Sequence, residues 1–341
     1  MKKVLTILVP VYNTEKYIKR CLDSILLKDV EKDIEVIVVS DGSKDHSVDI
    51  VKEYVDKFPD TLVLVEKENG GHGSTINKGL ELATGKYFRV LDSDDWFNSL
   101  DFKEYVKRLS KEDADLVITN YRQEHIYSGE SIKYTYEKLA DDEMYTFDKF
   151  NIDDLKGEYF VMATSTYKTE VLRNSGLKML EKTFYVDMQY NVVGFSKVKT
   201  FKYYDLDIYR YFIGRKDQSM NLNSFVNHKM DHEKVMKFLI EYYTNNLSSF
   251  SENLKKYYSI IIKYMLYTHY NIFCLYDKNH KEAYMLIKEF DKYLKNKSME
   301  LYQISNFGLI KYNRKTNFVF TRINGKFFNK IINFIKLFRR R

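Results

Sequence analysis

Short apolar runs alternate with amphipathic helical patterns along the first 120 residues of the chain. Between these runs, apolar side chains recur every three to four positions, as at Tyr17, Cys21 and Ile25, and this spacing predicts helices. The alternation is typical of a mostly parallel sheet flanked by helices, so we predict an α/β fold. The predicted strands are Leu5–Val11, Glu35–Ser40, Leu62–Glu66, Tyr87–Leu91 and Asp115–Thr119.

The pattern changes after Asn120, where the regular alternation ends. A helical pattern runs from Ser224 to about Lys295 and predicts a C-terminal helical subdomain. We therefore divide the chain into an α/β domain (1–221), a helical subdomain (222–300) and a basic C-terminal segment (301–341). Between Asn120 and Ser224 we predict a hairpin of Gln123–Tyr127 and Ser131–Tyr136, helices at Phe147–Leu155 and Asp187–Ser196, strands at Val198–Tyr204 and Asp207–Phe212, and a polar loop at Gly214–Asn221.

The strongest chemical signal is Asp92-Ser93-Asp94-Asp95, directly after an apolar strand. In parallel sheets, ligands bind at the carboxyl ends of the strands. Three carboxylates in four residues repel one another unless a divalent cation or another positive partner lies among them. Mg²⁺ held by one or two carboxylates and by substrate phosphates is the natural occupant, whereas a strand-end turn that caps a helix would use the same residue types.

Two further polar segments follow predicted strands. Asp41 in Asp41-Gly42-Ser43 could accept a hydrogen bond from a nucleobase or ribose, although a helix-capping turn would have the same sequence. The glycine-rich turn from Asn69 to Thr75 could direct backbone N–H groups at an anion, and His72 within it is either a phosphate or metal contact or a solvated side chain. The turn lacks the spacing of a Walker loop or a dinucleotide fingerprint, which argues against an ATPase or a dehydrogenase.

The net charge of +7 is concentrated at the C-terminus. Residues 301–341 carry ten Lys or Arg and no Asp or Glu, which leaves −3 for the first 300 residues. In Lys326–Arg341 the apolar side chains gather on one helical side and basic residues fill the rest, as in helices that lie on anionic membranes. Docking on this protein or on a partner is the alternative. We expect no nucleic-acid binding, because the aromatic side chains of this helix do not form a stacking surface.

The rest of the sequence predicts a cytoplasmic protein, peripheral on the inner face of the cell membrane. The only cysteines, Cys21 and Cys274, lie in apolar helical patterns, which fits a reducing compartment. The apolar run from Val4 to Val11 is too short for a signal peptide and lacks a cleavage site. The best candidate for a spanning helix, Tyr258–Tyr276, is interrupted by polar residues, so we expect none.

Taken in order, these segments resemble the inverting family-2 glycosyltransferases with the GT-A (Rossmann-like) fold. The resemblance covers about the first 220 residues. The bacterial non-processive type is implied, because the Gln-x-x-Arg-Trp element of processive relatives is absent and Trp96 is the only tryptophan. The residues that carry the resemblance are Val9-Pro10-Val11-Tyr12-Asn13, Asp41-Gly42-Ser43, the stretch from Asn69 to Gly85, Asp92-Ser93-Asp94-Asp95, Phe184-Tyr185-Val186-Asp187 and Gly214-Arg215-Lys216-Asp217-Gln218-Ser219-Met220.

The resemblance implies a role for each matching residue. Asp94 would ligate Mn²⁺ or Mg²⁺. Asp187 would be the catalytic base, with Val186 in place of the first acid of the usual Glu-Asp pair, or it simply caps the following helix. Arg215 would neutralise phosphate charge from a closing loop, or is an ordinary loop arginine. The residues expected to bind the nucleotide sugar are Pro10, Tyr12, Asp41, Asn69, Gly71, Asp92, Ser93 and Arg215.

The expected activity is transfer of a hexosyl or N-acetylhexosaminyl group from a nucleotide-diphosphate sugar, a UDP-sugar above all. The acceptor would be a hydroxyl of a saccharide or lipid-linked molecule in cell-surface polysaccharide synthesis, and one displacement would invert the anomeric carbon. A nucleotidyltransferase is an alternative, but it would carry a glycine-rich nucleotide loop in place of Pro10-Val11-Tyr12-Asn13. A non-catalytic, membrane-associated scaffold that binds nucleotide sugars is the other, and Val186 keeps it open.

Overall fold

A computed structural model describes residues 3–215, 218 and 221–323 of the chain. The chain forms two compact units, Met1–Lys216 and Asp217–Arg341. The first is α/β and the second is helical, as the sequence predicts. The predicted amphipathic helix at 326–341 lies outside the described residues.

The first unit is built on a sheet whose central strands are mostly parallel. Within the described residues the sheet has ten strands, in the order β3-β2-β1-β4-β9-β6-β10-β5, with β7 beside β6 and β8 beside β10. The strands are β1 (Leu5–Val11), β2 (Ile34–Asp41), β3 (Leu62–Lys67), β4 (Tyr87–Val90), β5 (Trp96–Phe97), β6 (Leu116–His125), β7 (Ser131–Tyr134), β8 (Glu143–Thr146), β9 (Ser165–Lys168) and β10 (Thr200–Ile213). The helices of this unit are α1 (Ile18–Ile25), α2 (Ser47–Lys57), α3 (His72–Leu82), α4 (Ser99–Leu109), α5 (Thr169–Asn174) and α6 (Asp187–Phe195).

Strand β1 lies at the centre of the parallel part and is buried along its whole length. A strand covered on both faces needs the continuous apolar run that the sequence shows. Pro10 is tolerated in this position because the pairing of β1 with β4 ends at Leu8 and Val90, so Pro10 pairs only with Val39 of β2. The carboxyl ends of β1, β2, β3 and β4 consequently lie along one edge of the sheet.

Two predictions about the second half of this unit are wrong. The predicted helix over 147–155 is a pair of short 3₁₀ turns, Phe147–Lys149 and Ile152–Leu155, separated by the extended residue Phe150. The two predicted strands at 198–204 and 207–212 are one strand, β10. Its pairing with β6 shifts register on both sides of Asp207, so the polar interruption in the sequence is an irregularity within a continuous strand. The predicted hairpin is confirmed as the antiparallel pair β6–β7.

The second unit consists of helices that pack around buried aromatic and aliphatic side chains. Helix α9 continues into a π-helical turn, Ile272–Tyr276. No helix in the part of the chain that the structure describes is both long enough and apolar enough to cross a membrane. The helices are α7 (Leu222–Asn227), α8 (Lys229–Asn246), α9 (Glu252–Asn271), α10 (His280–Lys297), α11 (Met299–Ile304), α12 (Gly308–Lys315) and α13 (Val319–Ile323).

Two histidines meet in the core of the helical unit. His232 of α8 and His269 of α9 are buried and stacked, with Nδ1 atoms 3.1 Å apart and ring centroids 5.2 Å apart. Burial lowers the pKa of His232 to about 4. Burial, with the charges of His232 and Lys237, lowers the pKa of His269 well below its ordinary value. Both rings are therefore neutral in the folded unit near neutral pH.

We expect the free energy of unfolding of this unit to fall by roughly 4 kcal/mol between about pH 7 and about pH 5, about 2 kcal/mol for each of the two histidines. The unfolded chain binds protons at its histidines below about pH 6.5, whereas the folded unit does not, so acidification favours unfolding. Urea denaturation followed by far-ultraviolet circular dichroism at several pH values measures the change. His269→Gln is the control, and it should weaken the pH dependence of the unfolding free energy. If the unfolding free energy falls equally with pH in the variant and in wild type, the prediction is contradicted.

Candidate active site

Asp41, at the end of β2, organises the glycine-rich turn that follows β3. Its buried carboxylate accepts hydrogen bonds from the backbone N–H groups of Gly70 (2.8 Å) and Gly71 (2.7 Å). The Nζ of Lys67 donates to the same carboxylate at 2.7 Å, and the side chain of Asn69 donates to the Asp41 carbonyl at 3.0 Å. Asp41 thus shapes the turn, and its predicted contact with a nucleobase stays a prediction.

The glycines of this turn allow α3 to approach the chain segment that leads to Asp187. A Cβ on Gly73 would lie 2.1 Å from the carbonyl oxygen of Leu180. Gly71 has a φ of +81°, and a Cβ there would lie 3.1 Å from the Lys182 nitrogen. A side chain at either position would push the two segments apart, so the glycines bring the start of α3 next to the residues that precede α6.

His72 and Asp92 connect this turn to the acidic cluster. The His72 Nε2 lies 3.0 Å from the Asp92 Oδ1, and about a third of each side chain is exposed. Burial lowers the pKa of His72, but the hydrogen bond with Asp92 and the negative charges of Asp187 and Asp94 outweigh it and raise the pKa. His72 therefore lies in a strongly negative environment, to which both the acidic cluster and Asp187 contribute.

Asp187 is the first residue of α6 and is half-buried. Burial raises its pKa despite the opposing charge of His72 and the hydrogen bonds from its own and the Met188 backbone N–H. The negative charge of Asp92 contributes to the same increase. Two residues earlier, Tyr185 has a φ of +64°, an unfavourable conformation for a bulky residue and one often found at functional sites. This environment is suitable for a carboxylate that accepts a proton.

Asp94 and Arg215 form an ion pair, although they are far apart in the sequence. The Arg215 guanidinium lies 3.0 Å from the Asp94 Oδ2, and both side chains are mostly buried. The same guanidinium lies over the Tyr17 ring, 4.9 Å from its centroid. Arg215 lies two residues after the end of β10, so this strand brings the predicted phosphate-binding cation to the predicted metal ligand.

Asp95 has a structural role that the sequence did not reveal. It is fully buried and accepts hydrogen bonds from the Tyr209 hydroxyl (2.6 Å) and the Phe212 N–H (2.8 Å). Burial, with the charges of Asp94 and Asp92, raises the pKa of Asp95 well above its ordinary value. Asp95 therefore attaches the acidic cluster to β10, whereas Asp92 contacts His72 and Asp94 contacts Arg215.

Tyr211 is a second site residue that sequence reasoning missed. Burial raises the pKa of Tyr211, and the negative charges of Asp95, Asp92, Asp94 and Asp187 raise it further, so its hydroxyl stays neutral. The only sequence signal was its alternation with Tyr209, whose hydroxyl reaches Asp95.

The remaining predicted nucleotide-binding residues lie at the end of β1, in the loop that follows it, and in the acidic cluster. Pro10 and Ser93 are buried, whereas Tyr12 is 52% exposed. The next residue, Asn13, has a φ of +53° and accepts a hydrogen bond from the Lys44 N–H at 2.7 Å. The loops after β1 and β2 are thus tied together, with the Tyr12 ring projecting into solvent.

The acidic side chains fit a divalent cation only as part of a larger ligand set. Within residues 3–215, 218 and 221–323, no three His, Cys, Asp or Glu side chains are grouped to hold a metal ion. The Asp92 and Asp94 carboxylates remain partly exposed, by 32% and 18%, at the end of β4. Because Mg²⁺ commonly uses one or two carboxylates with waters and substrate phosphates, these residues suit a cation that binds together with a diphosphate.

Parts of this sequence match known proteins. Residues 6–175 match the family model described as Glycosyl transferase family 2. EpsH of Bacillus subtilis (strain 168) is 41% identical over 127 residues, which make up 37% of this chain and 36% of EpsH. The minor teichoic acid biosynthesis protein GgaB of the same organism is 40% identical over 91 residues, 26% of this chain and 10% of GgaB. The matches thus cover only a minor part of these relatives.

The fold is also found among solved structures. S. aureus TarS 1–349, in complex with UDP-GlcNAc, superposes with a TM-score of 0.64 and 17% identity, over 92% of each chain. This likeness concerns the fold, which is the GT-A fold that the motifs predict. The chain therefore belongs to the family-2 glycosyltransferases.

Proposed function

We propose that the chain transfers a sugar from a nucleotide-diphosphate donor, a UDP-sugar above all, to a hydroxyl of a saccharide or lipid-linked acceptor in cell-surface polysaccharide synthesis. The observation that carries the proposal is the pairing of Asp94 with Arg215 and of Asp92 with His72, in a unit where the charges of His72 and Asp92 also act on Asp187. The UDP-GlcNAc complex of TarS supports a UDP-sugar as the donor. The name of GgaB, a minor teichoic acid biosynthesis protein, supports a role in cell-surface polymer synthesis.

In this proposal Asp94, with Asp92 nearby, would hold Mn²⁺ or Mg²⁺ together with the donor diphosphate. When bound, the metal supplies positive charge that stabilises the departing diphosphate. Arg215 adds a directional positive charge near the same position, since its guanidinium already lies against Asp94. The turn that Asp41 shapes and the Tyr12 loop would enclose the nucleotide, because both lie at the carboxyl edge of the parallel strands.

Asp187 acts as the general base on the acceptor. Its carboxylate takes the proton from the acceptor hydroxyl while that oxygen bonds to the anomeric carbon and the bond from this carbon to the diphosphate oxygen breaks. A single displacement of this kind inverts the anomeric carbon. Val186 is buried and offers no carboxylate to assist Asp187, but His72 lies close enough to affect the Asp187 charge. We propose that His72 replaces the missing acid as the group that tunes the base.

The proposal also retains peripheral attachment to an anionic membrane through the predicted basic helix at 326–341, which would bring the enzyme to a lipid-linked acceptor. Vesicle flotation of the full chain and of a variant that lacks residues 326–341 tests this part separately.

The proposal is tested by incubating the protein with a panel of UDP- and GDP-sugars, with Mn²⁺ or Mg²⁺, and measuring release of the nucleoside diphosphate. We expect one donor to be turned over in a metal-dependent manner, and nuclear magnetic resonance of the product to show an inverted anomeric centre. A retained centre would exclude the mechanism with Asp187 as base. Nucleotide-sugar binding without turnover would favour the scaffold alternative.

A further inference from the structure

Arg20 lies on α1, outside the segments to which a role has been assigned, yet it contacts the acidic cluster. Its guanidinium donates a hydrogen bond to the main-chain carbonyl of Asp94 at 2.9 Å. The same group lies over the Trp96 ring, 3.6 Å from the centroid, and 4.5 Å from the centroid of the Phe212 ring. Arg20 is therefore packed between two aromatic rings, with one N–H directed at the turn that carries Asp94.

The two rings belong to the two chain segments that form the Asp94–Arg215 ion pair. Trp96 follows the acidic cluster and pairs with Arg210 of β10, whereas Phe212 lies three residues before Arg215. The Trp96 and Phe212 rings are in edge contact, with centroids 5.9 Å apart. A shift of the Arg20 guanidinium would thus move both segments.

The neighbouring turn of α1 reinforces this arrangement. Tyr17, one helical turn before Arg20, contacts the Phe212 ring with centroids 5.8 Å apart. The Arg215 guanidinium lies over the same Tyr17 ring, 4.9 Å from its centroid. Helix α1 therefore presents one face to the end of β10 and to the acidic cluster together.

Lysine could not replace Arg20 in this position. A planar guanidinium can stack on an aromatic ring while an N–H in its plane donates to a carbonyl, whereas an ammonium group is a compact charge without a stacking face.

We infer that Arg20 is a positioning residue that sets Asp94 relative to Arg215 by holding the main chain of Asp94 and the rings of Trp96 and Phe212. The inference rests on the proposed function, because it assigns Asp94 and Arg215 to the donor diphosphate. Arg20 does not contact Asp187 in this arrangement, so its loss should weaken donor binding more than it slows the chemical step.

The test compares Arg20→Lys and Arg20→Gln with the matched control Lys19→Gln. Lys19 is the preceding residue of α1 but bonds Asp23 and Tyr54 instead. We expect Arg20→Lys to weaken calorimetric binding of UDP with Mn²⁺, and to raise the donor KM, by about tenfold. The kcat should change much less, the thermal unfolding midpoint should stay close to that of wild type, and Lys19→Gln should behave as wild type.

The possible results separate this inference from the proposed function. Wild-type binding and KM in Arg20→Lys, beside an active wild type, would overturn the inference alone. If Lys19→Gln loses the same affinity for UDP, the effect would come from any change on the surface of α1, and this would also overturn the inference. If Arg20→Gln fails to fold, the conservative Arg20→Lys variant still decides. Wild-type protein that neither binds UDP with Mn²⁺ nor turns over any donor would overturn the proposed function, and this inference with it.

Discussion

Replacing Asp187 with asparagine should lower kcat by about 10²–10⁴-fold, the usual contribution of a general base. The amide has nearly the shape of the carboxylate but cannot take the proton from the acceptor hydroxyl. Donor binding should change little, because the proposed donor contacts come from Asp94, Arg215 and the strand-end loops. Steady-state kinetics with the donor that the panel identifies, together with calorimetric binding of UDP and Mn²⁺, measures the two effects separately.

The control for this experiment is Asp49→Asn, which makes the same change in the first turn of another helix, α2. Asp49 is exposed and, within the described residues, forms an ion pair with His46, so the variant should keep full activity. Because burial raises the pKa of Asp187, wild-type activity should decline on the acidic side at a higher pH than an ordinary aspartate would give. An active Asp187→Asn enzyme with an unchanged pH profile would remove Asp187 from the proposed role.

The features that sequence reasoning predicted best are those with a local cause. The buried strand β1 shows a continuous apolar run, and its observed bounds, Leu5–Val11, are the predicted ones. The polar segments after β2 and β4 were expected at one edge of the sheet, because parallel strands with helical connections all run in the same direction. Asp41 and Asp92 do lie at this edge, and His72 joins the loops between them.

The features that sequence reasoning missed depend on contacts between residues that are distant in the sequence. Asp94 and Asp95 are equivalent in a local pattern, but β10 buries Asp95 under Tyr209 and the Phe212 backbone, while Asp94 faces Arg215. Neither the pairing of β5 with β10 nor its register could be inferred from Trp96 and its neighbours.

The same reason explains the error at β10. Its polar interruption suggested two strands, because the pattern cannot show that the neighbouring strand β6 continues past the interruption with a shifted register. Arg20 is a further case. In the helical pattern of the sequence, Arg20 is one of the basic residues of α1. Only its packing against the Trp96 and Phe212 rings distinguishes it from Lys19.

Asp94→Asn should lower kcat/KM by about 10²–10³-fold, as expected for loss of a group that stabilises the charge of the leaving diphosphate. The amide removes the negative charge that would hold Mn²⁺ or Mg²⁺ beside the donor phosphates. Two effects are combined in this variant, since the ion pair with Arg215 is lost as well. Calorimetric titration of UDP with and without Mn²⁺ separates them, because only the metal effect depends on the added ion.

Arg215→Gln is the matched control for the ion pair. It breaks the same contact but leaves the Asp94 carboxylate in place, so Mn²⁺ should still strengthen UDP binding in this variant, although affinity for the diphosphate itself should fall. In Asp94→Asn, by contrast, UDP affinity should become nearly independent of Mn²⁺. If Asp94→Asn retains the metal dependence, the cation is held elsewhere and Asp94 serves only to orient Arg215. If both variants lose it together, the ion pair itself forms part of the metal site, because removing either partner would then disturb the carboxylate that the cation requires.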